Sequence, residues 1–153
     1  MVPIGRHDVL VSEIGLAGWS LYPSEAYLAR KGAPTRHDNL RGHDIVAYSD
    51  PASMDAGASW LNRHLFGTQM TFRGASVKAV LEASANGLGV AAAPCVAAAA
   101  AGLTRVSDQV VGASAIQLVA RSDVARAAPV RAVMGFLADA MARERDWLAG
   151  KPG

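Results

Sequence analysis

Cysteine is nearly absent from this sequence, since Cys95 is the only one among 153 residues. A single cysteine cannot form an internal disulfide, which excludes the disulfide-rich secreted class and fits a reducing compartment. Cys95 follows Pro94 and precedes an alanine run, and nothing in the sequence marks a base beside it. We therefore predict a buried, inert thiol and not a catalytic one.

An excess of charge of one sign is missing too. The chain has 15 Lys and Arg residues against 13 Asp and Glu residues, a formal net charge of +2. The basic residues are scattered and do not form the stripe that nucleic-acid binding needs. We therefore do not assign DNA binding to this chain.

Long apolar runs are also lacking. The longest, such as residues 90–102, fall short of the ~20 residues that a membrane span requires. No charged segment followed by an apolar stretch opens the chain, so no secretory signal is indicated. We expect a soluble cytoplasmic protein with no membrane contact.

Motifs for catalysis or cofactor binding are weak. The four histidines show no spacing typical of metal ligands, and residues 18–22 lack the last glycine of a serine nucleophile elbow. Residues 87–92 match the dinucleotide fingerprint G-x-G-x-x-A, but that fingerprint must follow a strand and open a helix. Here the preceding residues are patterned as a helix and the following ones as a strand. We expect no catalytic residue, no metal and no cofactor, and keep a nucleotide-binding enzyme as an unfavoured alternative.

The most informative feature that is present is the segment 74–94. Ser76 is suited to cap a helix that carries Val77, Val80 and Leu81 at helical spacing. Gly87 suits the left-handed residue that ends such a helix, and the short apolar stretch 88–93 then indicates a buried strand. A helix N-terminus that opens on a cleft can bind a carboxylate, because its first N–H groups lack partners.

Strands alternate with helices along the rest of the chain, which predicts an α/β fold with a largely parallel sheet. Strands are expected at 9–14, 19–22, 45–48, 70–73 and 116–118, with a loose join at 15–18. Helices are expected after Ser24, around 60–65, over 95–101 and from Pro129. The last of these should bury one apolar face, made of Val130, Val133, Met134, Leu137 and Met141.

Four stretches resemble the effector-binding domain of LysR-type transcriptional regulators, in that family's order and spacing. They are residues 19–34, 38–46, 74–94 and 128–137. The resemblance implies a fold like that of periplasmic binding proteins, in which a small metabolite, often a carboxylate or an aromatic, binds between two lobes. It also implies action on transcription through a helix-turn-helix that this chain does not contain.

The resemblance further predicts how the chain is divided. Residues 16–112 would form one complete lobe, while residues 1–15 and 113–150 would be the returning part of an incomplete second lobe, truncated at its N-terminus. The strand near 114–120 and the helix from Pro129 would then expose apolar faces unless they pair with residues 9–14, with a second copy, or with another polypeptide. We expect a homo-oligomer.

Candidate ligand-binding residues follow from both lines of reasoning. Gly74, Ala75 and Ser76 form the start of the predicted helix, although Ser76 could serve only its own helix. Tyr48, Ser49 and Pro51 lie where a strand ends, which is where open α/β sheets place ligand groups, although a turn with a half-buried tyrosine explains them equally well. The last two candidates are Thr71, which an exposed strand face explains equally well, and Ser20, which a satisfied core hydroxyl explains better. A free-standing solute-binding protein of the same fold remains the competing function.

Overall fold

A six-stranded sheet runs through the computed structural model, which describes residues 2–3, 8–50 and 56–151. The strands are β1 (Val2–Pro3), β2 (Val9–Tyr22), β3 (Asp44–Tyr48), β4 (Gln69–Gly74), β5 (Val90–Pro94) and β6 (Gly112–Arg121). The helices are α1 (Glu25–Lys31), α2 (Ala56–Arg63), α3 (Val77–Ala85), α4 (Cys95–Ala100), α5 (Ser122–Ala125), α6 (Ala128–Arg143) and α7 (Arg145–Leu148). This is the predicted α/β class.

Parallel pairing is concentrated in one part of the sheet. The hydrogen-bonded order is β1-β2-β5-β3-β4, and β6 pairs with β2. The strands β5, β3 and β4 are parallel to one another, whereas β2 runs antiparallel to β5, to β1 and to β6. The carboxyl ends of β3, β4 and β5 therefore meet at one edge of the sheet.

The predicted join at residues 15–18 is wrong, because β2 continues through it as one strand of 14 residues. Its glycines, Gly15 and Gly18, suggested a break, but β6 pairs with β2 from Val9 to Trp19. The pairing register shifts between Glu13 and Gly15, so the extra residue is accommodated as an irregularity within the ladder. Tertiary pairing here overrides the weak strand propensity of glycine.

The core lies around the parallel strands. Its largest fully buried side chains are Trp19, Leu21, Tyr27, Leu40, Ile45, Val46, Tyr48, Leu61, Val80 and Val90. Trp19 depends on a close approach of α2, since a Cβ added to Gly57 would lie 2.4 Å from its indole ring. The described part of α2 runs from Ala56 to Arg63 and so includes residues before the predicted start near residue 60.

The ends of α1 and α3 follow the expected caps. The Ser24 hydroxyl accepts a hydrogen bond from the Tyr27 N–H at 3.2 Å, and Gly32 ends the helix at φ +75°. The Ser76 hydroxyl accepts one from the Ala79 N–H at 3.2 Å, and Gly87 follows that helix at φ +80°. In both cases the local sequence is sufficient to set the helix boundary.

The predicted burial of one face of the last helix is wrong. The helix α6 has no buried residue, and Val133 is 57% exposed. The other four expected core positions, Val130, Met134, Leu137 and Met141, are half-buried. The spacing is that of an amphipathic helix, but among the described elements α6 packs chiefly against β2 and its two short neighbours α5 and α7.

The strand β6, which was predicted near residues 114–120, does pair with one of its predicted partners. Residues 9–13 of β2 pair with residues 117–121 of β6, so these two strands form an antiparallel ribbon.

None of the helices in the described ranges has the length and apolar character that a membrane span requires.

Candidate functional site

The candidate site begins where β3 and β4 end side by side. Tyr48 is paired with Gly74, and the Ser49 N–H donates a hydrogen bond to the Gly74 carbonyl oxygen at 2.9 Å. Ser49 is exposed, while Gly74 is buried beneath Phe72 and Val80. Two groups of predicted residues, far apart in the sequence, thus lie next to each other.

The helix α3 starts directly from this junction. Ala75 and Ser76 are both exposed, and Ser76 has the extended backbone conformation of an N-cap. Its hydroxyl serves the Ala79 N–H, which is the role expected of a cap. The first N–H groups of a helix lack partners within the helix, so this end presents backbone donors and a positive dipole end beside Ser49.

Tyr48 forms the floor of the site. It is 2% exposed, and its hydroxyl donates to the Ala92 carbonyl oxygen at 3.1 Å. Its ring meets the Trp19 ring edge-on, with centroids 6.0 Å apart. Because the hydroxyl is engaged inside the core, Tyr48 positions the Ser49 backbone and does not offer its oxygen to the surface.

Ser20 and Thr71 have other partners. The Ser20 side chain is buried, and its hydroxyl donates to the Gln109 carbonyl oxygen at 2.7 Å. The Thr71 hydroxyl lies 3.1 Å from the Ile45 carbonyl oxygen and 2.8 Å from that of Leu88, toward the opposite end of the strands. Thr71 is therefore not brought to the junction. Pro51 lies outside the described residues.

Trp19 was not among the predicted site residues, although it lies beside the carboxyl ends of the parallel strands. Its indole N–H donates to the Ser114 hydroxyl at 2.6 Å, which joins β2 to β6. Trp19 is also paired with Pro94 at the carboxyl end of β5. The only sequence signal for this role is an aromatic residue on a strand, which is equally typical of a core position.

Arg73 brings a positive charge to the same edge. Its side chain is exposed, and its Nη1 lies 3.5 Å from the Tyr48 carbonyl oxygen. A guanidinium has five N–H donors, so this contact leaves others directed to solvent. An anion at the start of α3 would therefore meet a cation as well as backbone N–H groups.

The opposite edge of the sheet holds a closed polar network. The Tyr27 hydroxyl lies 3.0 Å from His43 Nδ1 and accepts a hydrogen bond from the Asp44 N–H at 2.9 Å. The Asp44 carboxylate accepts from Lys31 Nζ at 3.0 Å. Burial, followed by the nearby Lys31 charge, lowers the pKa of His43, which keeps its imidazole neutral. These groups satisfy one another, which is typical of structural support.

Two chemistries considered from the sequence find no support in the geometry. Gly87 and Gly89 follow the helix α3 and precede the strand β5, which is the reverse of a dinucleotide-binding unit. Instead Gly89 permits a close approach, because an added Cβ would lie 2.5 Å from the Asp44 carbonyl oxygen. Over the described residues, no three His, Cys, Asp or Glu side chains come together as a metal site.

Comparison with protein families gives a match over most of the chain. The model described as the LysR substrate binding domain covers residues 8–142. The chain belongs to this family. The two strand ends and the start of α3 thus lie within a domain that senses ligands for transcription regulation, as the sequence resemblance predicted. A comparison with curated proteins finds no match.

Solved structures of LysR-type regulators share this fold. The regulatory domain of CrgA from Neisseria meningitidis is similar with a TM-score of 0.67 and 17% identity, over 91% of this chain and 72% of that one. The effector domain of AmpR from Pseudomonas aeruginosa has a TM-score of 0.66 and 18% identity, over 92% and 69%. A longer CrgA structure, with a TM-score of 0.67 and 18% identity, matches 90% of this chain, which spans 49% of its length.

Proposed function

We propose that the junction of β3, β4 and α3 binds the small-molecule effector, with an anionic group of that molecule at the start of α3. The observation that carries this proposal is the pairing of Tyr48 with Gly74, which sets Ser49 beside Ala75 and Ser76. Backbone donors, the helix dipole and Arg73 all favour a negative charge there. A carboxylate metabolite, aromatic or aliphatic, fits this chemistry.

The proposal includes the division of the chain into two lobes. Residues 16–112 form the lobe that carries the junction, and residues 1–15 and 113–150 belong to the other lobe. An effector held between them would favour one lobe arrangement by the difference of its affinities for the two. We propose that a helix-turn-helix outside these residues converts this shift into altered DNA binding, in the cytoplasm and without catalysis.

The experiment compares two serine caps. Ser76→Ala and Ser24→Ala each remove one N-cap hydrogen bond, and we expect each to lower the free energy of unfolding by about 0.5–2 kcal/mol. Only Ser76 lies at the proposed site, since Ser24 starts α1, which leads to the opposite edge. A panel of carboxylate metabolites would first be screened by thermal shift and calorimetry.

We expect the best ligand of the panel to bind Ser24→Ala as tightly as the unchanged chain and to bind Ser76→Ala more weakly. Ala75→Glu, which places a carboxylate at the exposed start of α3, should weaken binding about tenfold or more by charge repulsion. Equal binding to Ala75→Glu and to the unchanged chain would show that the anion does not sit at α3.

The competing function is a free-standing receptor for solutes, which the same fold would also serve. Ligand-driven lobe closure does not separate the two functions, because periplasmic receptors also close around their ligands. The DNA that encodes the residues before Met1 does separate them. An in-frame helix-turn-helix would support the sensor, and a signal peptide would support the receptor.

A further inference from the structure

A second cavity lies apart from the junction, between the helix α4 and residues 147–151 (the C-terminal segment). It has a volume of about 270 Å³ and shares no residue with the candidate site. Its lining comes from two separate parts of the chain: Tyr22, Cys95, Ala99, Leu103, Thr104 and Arg105 on one side, and Trp147, Gly150 and Lys151 on the other. A ligand in it would therefore contact both parts at once.

The charged side chains that line this cavity are both positive. Arg105 is the better buried, with a side chain 20% exposed, and it donates from Nη1 to the Gly150 carbonyl oxygen. Lys151 stands at the other end of the lining. None of the described residues that line the cavity is acidic, although Asp108 and Asp146 pair with the two cations from outside the lining. An anion that displaces these two carboxylates would meet two positive charges.

Both cations have partners that an anion could replace. Arg105 Nη2 lies 3.2 Å from Asp108 Oδ1, and Lys151 Nζ lies 2.7 Å from Asp146 Oδ1. Each of the two carboxylates is more than half exposed, and exposed ion pairs contribute little to stability. A ligand carboxylate can take their place with small loss, because each aspartate returns to water.

The remaining lining suits an apolar body. Leu103 and Ala99 form one wall, and the Trp147 side chain, 56% exposed, stands at the other. An indole face can stack on a ring and remove apolar area from water. Polar hydroxyls from Tyr22 and Thr104 complete the lining. The volume lies just below the roughly 300–1,000 Å³ of drug-sized sites, so a single ring with one carboxylate is the suitable size.

Close backbone contacts fix the second part of the lining against the first. A Cβ added to Gly150 would lie 2.7 Å from Cys95 Sγ, and one added to Gly18 would lie 2.1 Å from the Ala149 carbonyl oxygen. Leu148, just before them, is buried. The cavity is thus held between packed elements.

We propose that this cavity is a second ligand site, which binds a small monocarboxylate with an apolar ring between Arg105, Lys151 and Trp147. By contacting α4 and the C-terminal segment together, such a ligand would stabilise their packing. The site is separate from the junction of β3, β4 and α3, and the two could be occupied independently.

The three tryptophans provide the test, using benzoate as the probe and the full 153-residue chain. In a ¹⁵N–¹H spectrum each indole gives one signal: Trp147 reports this cavity, Trp19 reports the junction, and Trp60 serves as a reference. Trp147→Phe assigns the first signal. We expect the Trp147 signal to shift saturably with benzoate and to stay in place with neutral benzamide.

Charge-removing variants then locate the carboxylate. Arg105→Gln should weaken the benzoate response about tenfold or more, as expected for loss of a charge-assisted hydrogen bond. Lys151→Gln, at an exposed position, should weaken it as well. Lys78→Gln, on the exposed face of α3, is the matched control and should leave it unchanged.

Three results would overturn the proposal. One is a Trp147 signal that stays fixed up to about 10 mM benzoate, ten times a 1 mM Kd. Another is unchanged affinity in both Arg105→Gln and Lys151→Gln. The third is a saturable shift of Trp19 alone, which would place the anion at the junction instead and so leave the proposed effector site intact.

Discussion

At the scale of single residues, glycines allow close contacts that no sequence pattern predicts. Gly57 and Gly135 both lie within helices, but their surroundings differ. A Cβ on Gly57 would meet the Trp19 ring at 2.4 Å, whereas one on Gly135 would have no atom within 4 Å. The same substitution should therefore have opposite effects at the two positions.

Gly57→Ala is expected to lower the free energy of unfolding by about 1–3 kcal/mol, because the added methyl group forces Trp19 to move. Gly135→Ala, the control, should raise it by up to about 1 kcal/mol through better helix propensity. Urea denaturation measures both. If Gly57→Ala were as stable as Gly135→Ala, the described contact between α2 and Trp19 would be wrong.

Residue chemistry also shows how far the sequence alone could be used. Ser24 and Ser76 were predictable as caps because a cap is a local interaction between neighbours in the chain. The partners of Ser20 and Thr71 were not, since Gln109 and Leu88 are distant in sequence. A hydroxyl on a strand gives no sign of which carbonyl it will meet.

At the scale of elements, the polar network of Tyr27, His43 and Asp44 ties α1 to the start of β3. It should make stability depend on pH. The folded pKa of His43 is lowered, chiefly by burial, so folding favours the neutral imidazole. The stabilisation is then complete above the unfolded pKa of about 6.5 and is lost as the pH falls through the folded pKa.

We therefore expect the melting temperature to fall below about pH 6.5 more steeply in the unchanged chain than in His43→Asn. Asparagine keeps a hydrogen-bonding side chain near Tyr27 but does not titrate. Thermal unfolding followed by circular dichroism across this range measures the difference. Identical pH profiles would mean that His43 has no part in the acid response.

Elements also mark where sequence reasoning failed. The apolar spacing of α6 predicted a buried face, whereas four of the five residues on that face are only half-buried in the structure. Periodicity indicates that a helix has an apolar face, but it cannot tell what covers that face. For β2 the sequence predicted a break at Gly15 and Gly18, whereas pairing with β6 keeps the strand continuous. The strands β3 and β5 were predictable since their buried apolar runs are short and are bounded by turns, and β4 was predictable from the alternation of Met70 and Phe72 with polar residues.

At the scale of the whole molecule, apolar surface remains open in the part built from β2, β6 and α6. Val119 lies on the face of β6 opposite Ile116, which packs toward Met141, and is 62% exposed. On α6, Val133 and Phe136 are 57% and 65% exposed. Two separate surfaces are thus uncovered, and exposed apolar clusters of this kind favour association.

We expect the chain to self-associate at micromolar concentration through these surfaces. A double substitution, Val119→Lys with Phe136→Glu, should shift the population toward monomer, because charges oppose burial of either surface. Val124→Lys, which adds a charge at another exposed apolar position, is the control. Light scattering over a concentration series measures the change. A compact monomer throughout that series would exclude the association.

The uninterrupted course of β2 has a mechanical consequence. A strand of 14 residues extends for roughly 45 Å, at about 3.3 Å per residue, and it pairs with β6 from Val9 to Trp19 and with β5 from Trp19 to Tyr22. Because hydrogen-bonded neighbours hold β2 along its length, bending is opposed and twisting about the strand axis is the easier deformation. The strand is least stiff at the register shift after Glu13. Signals passing along this molecule would then be small rotations and not wide swings.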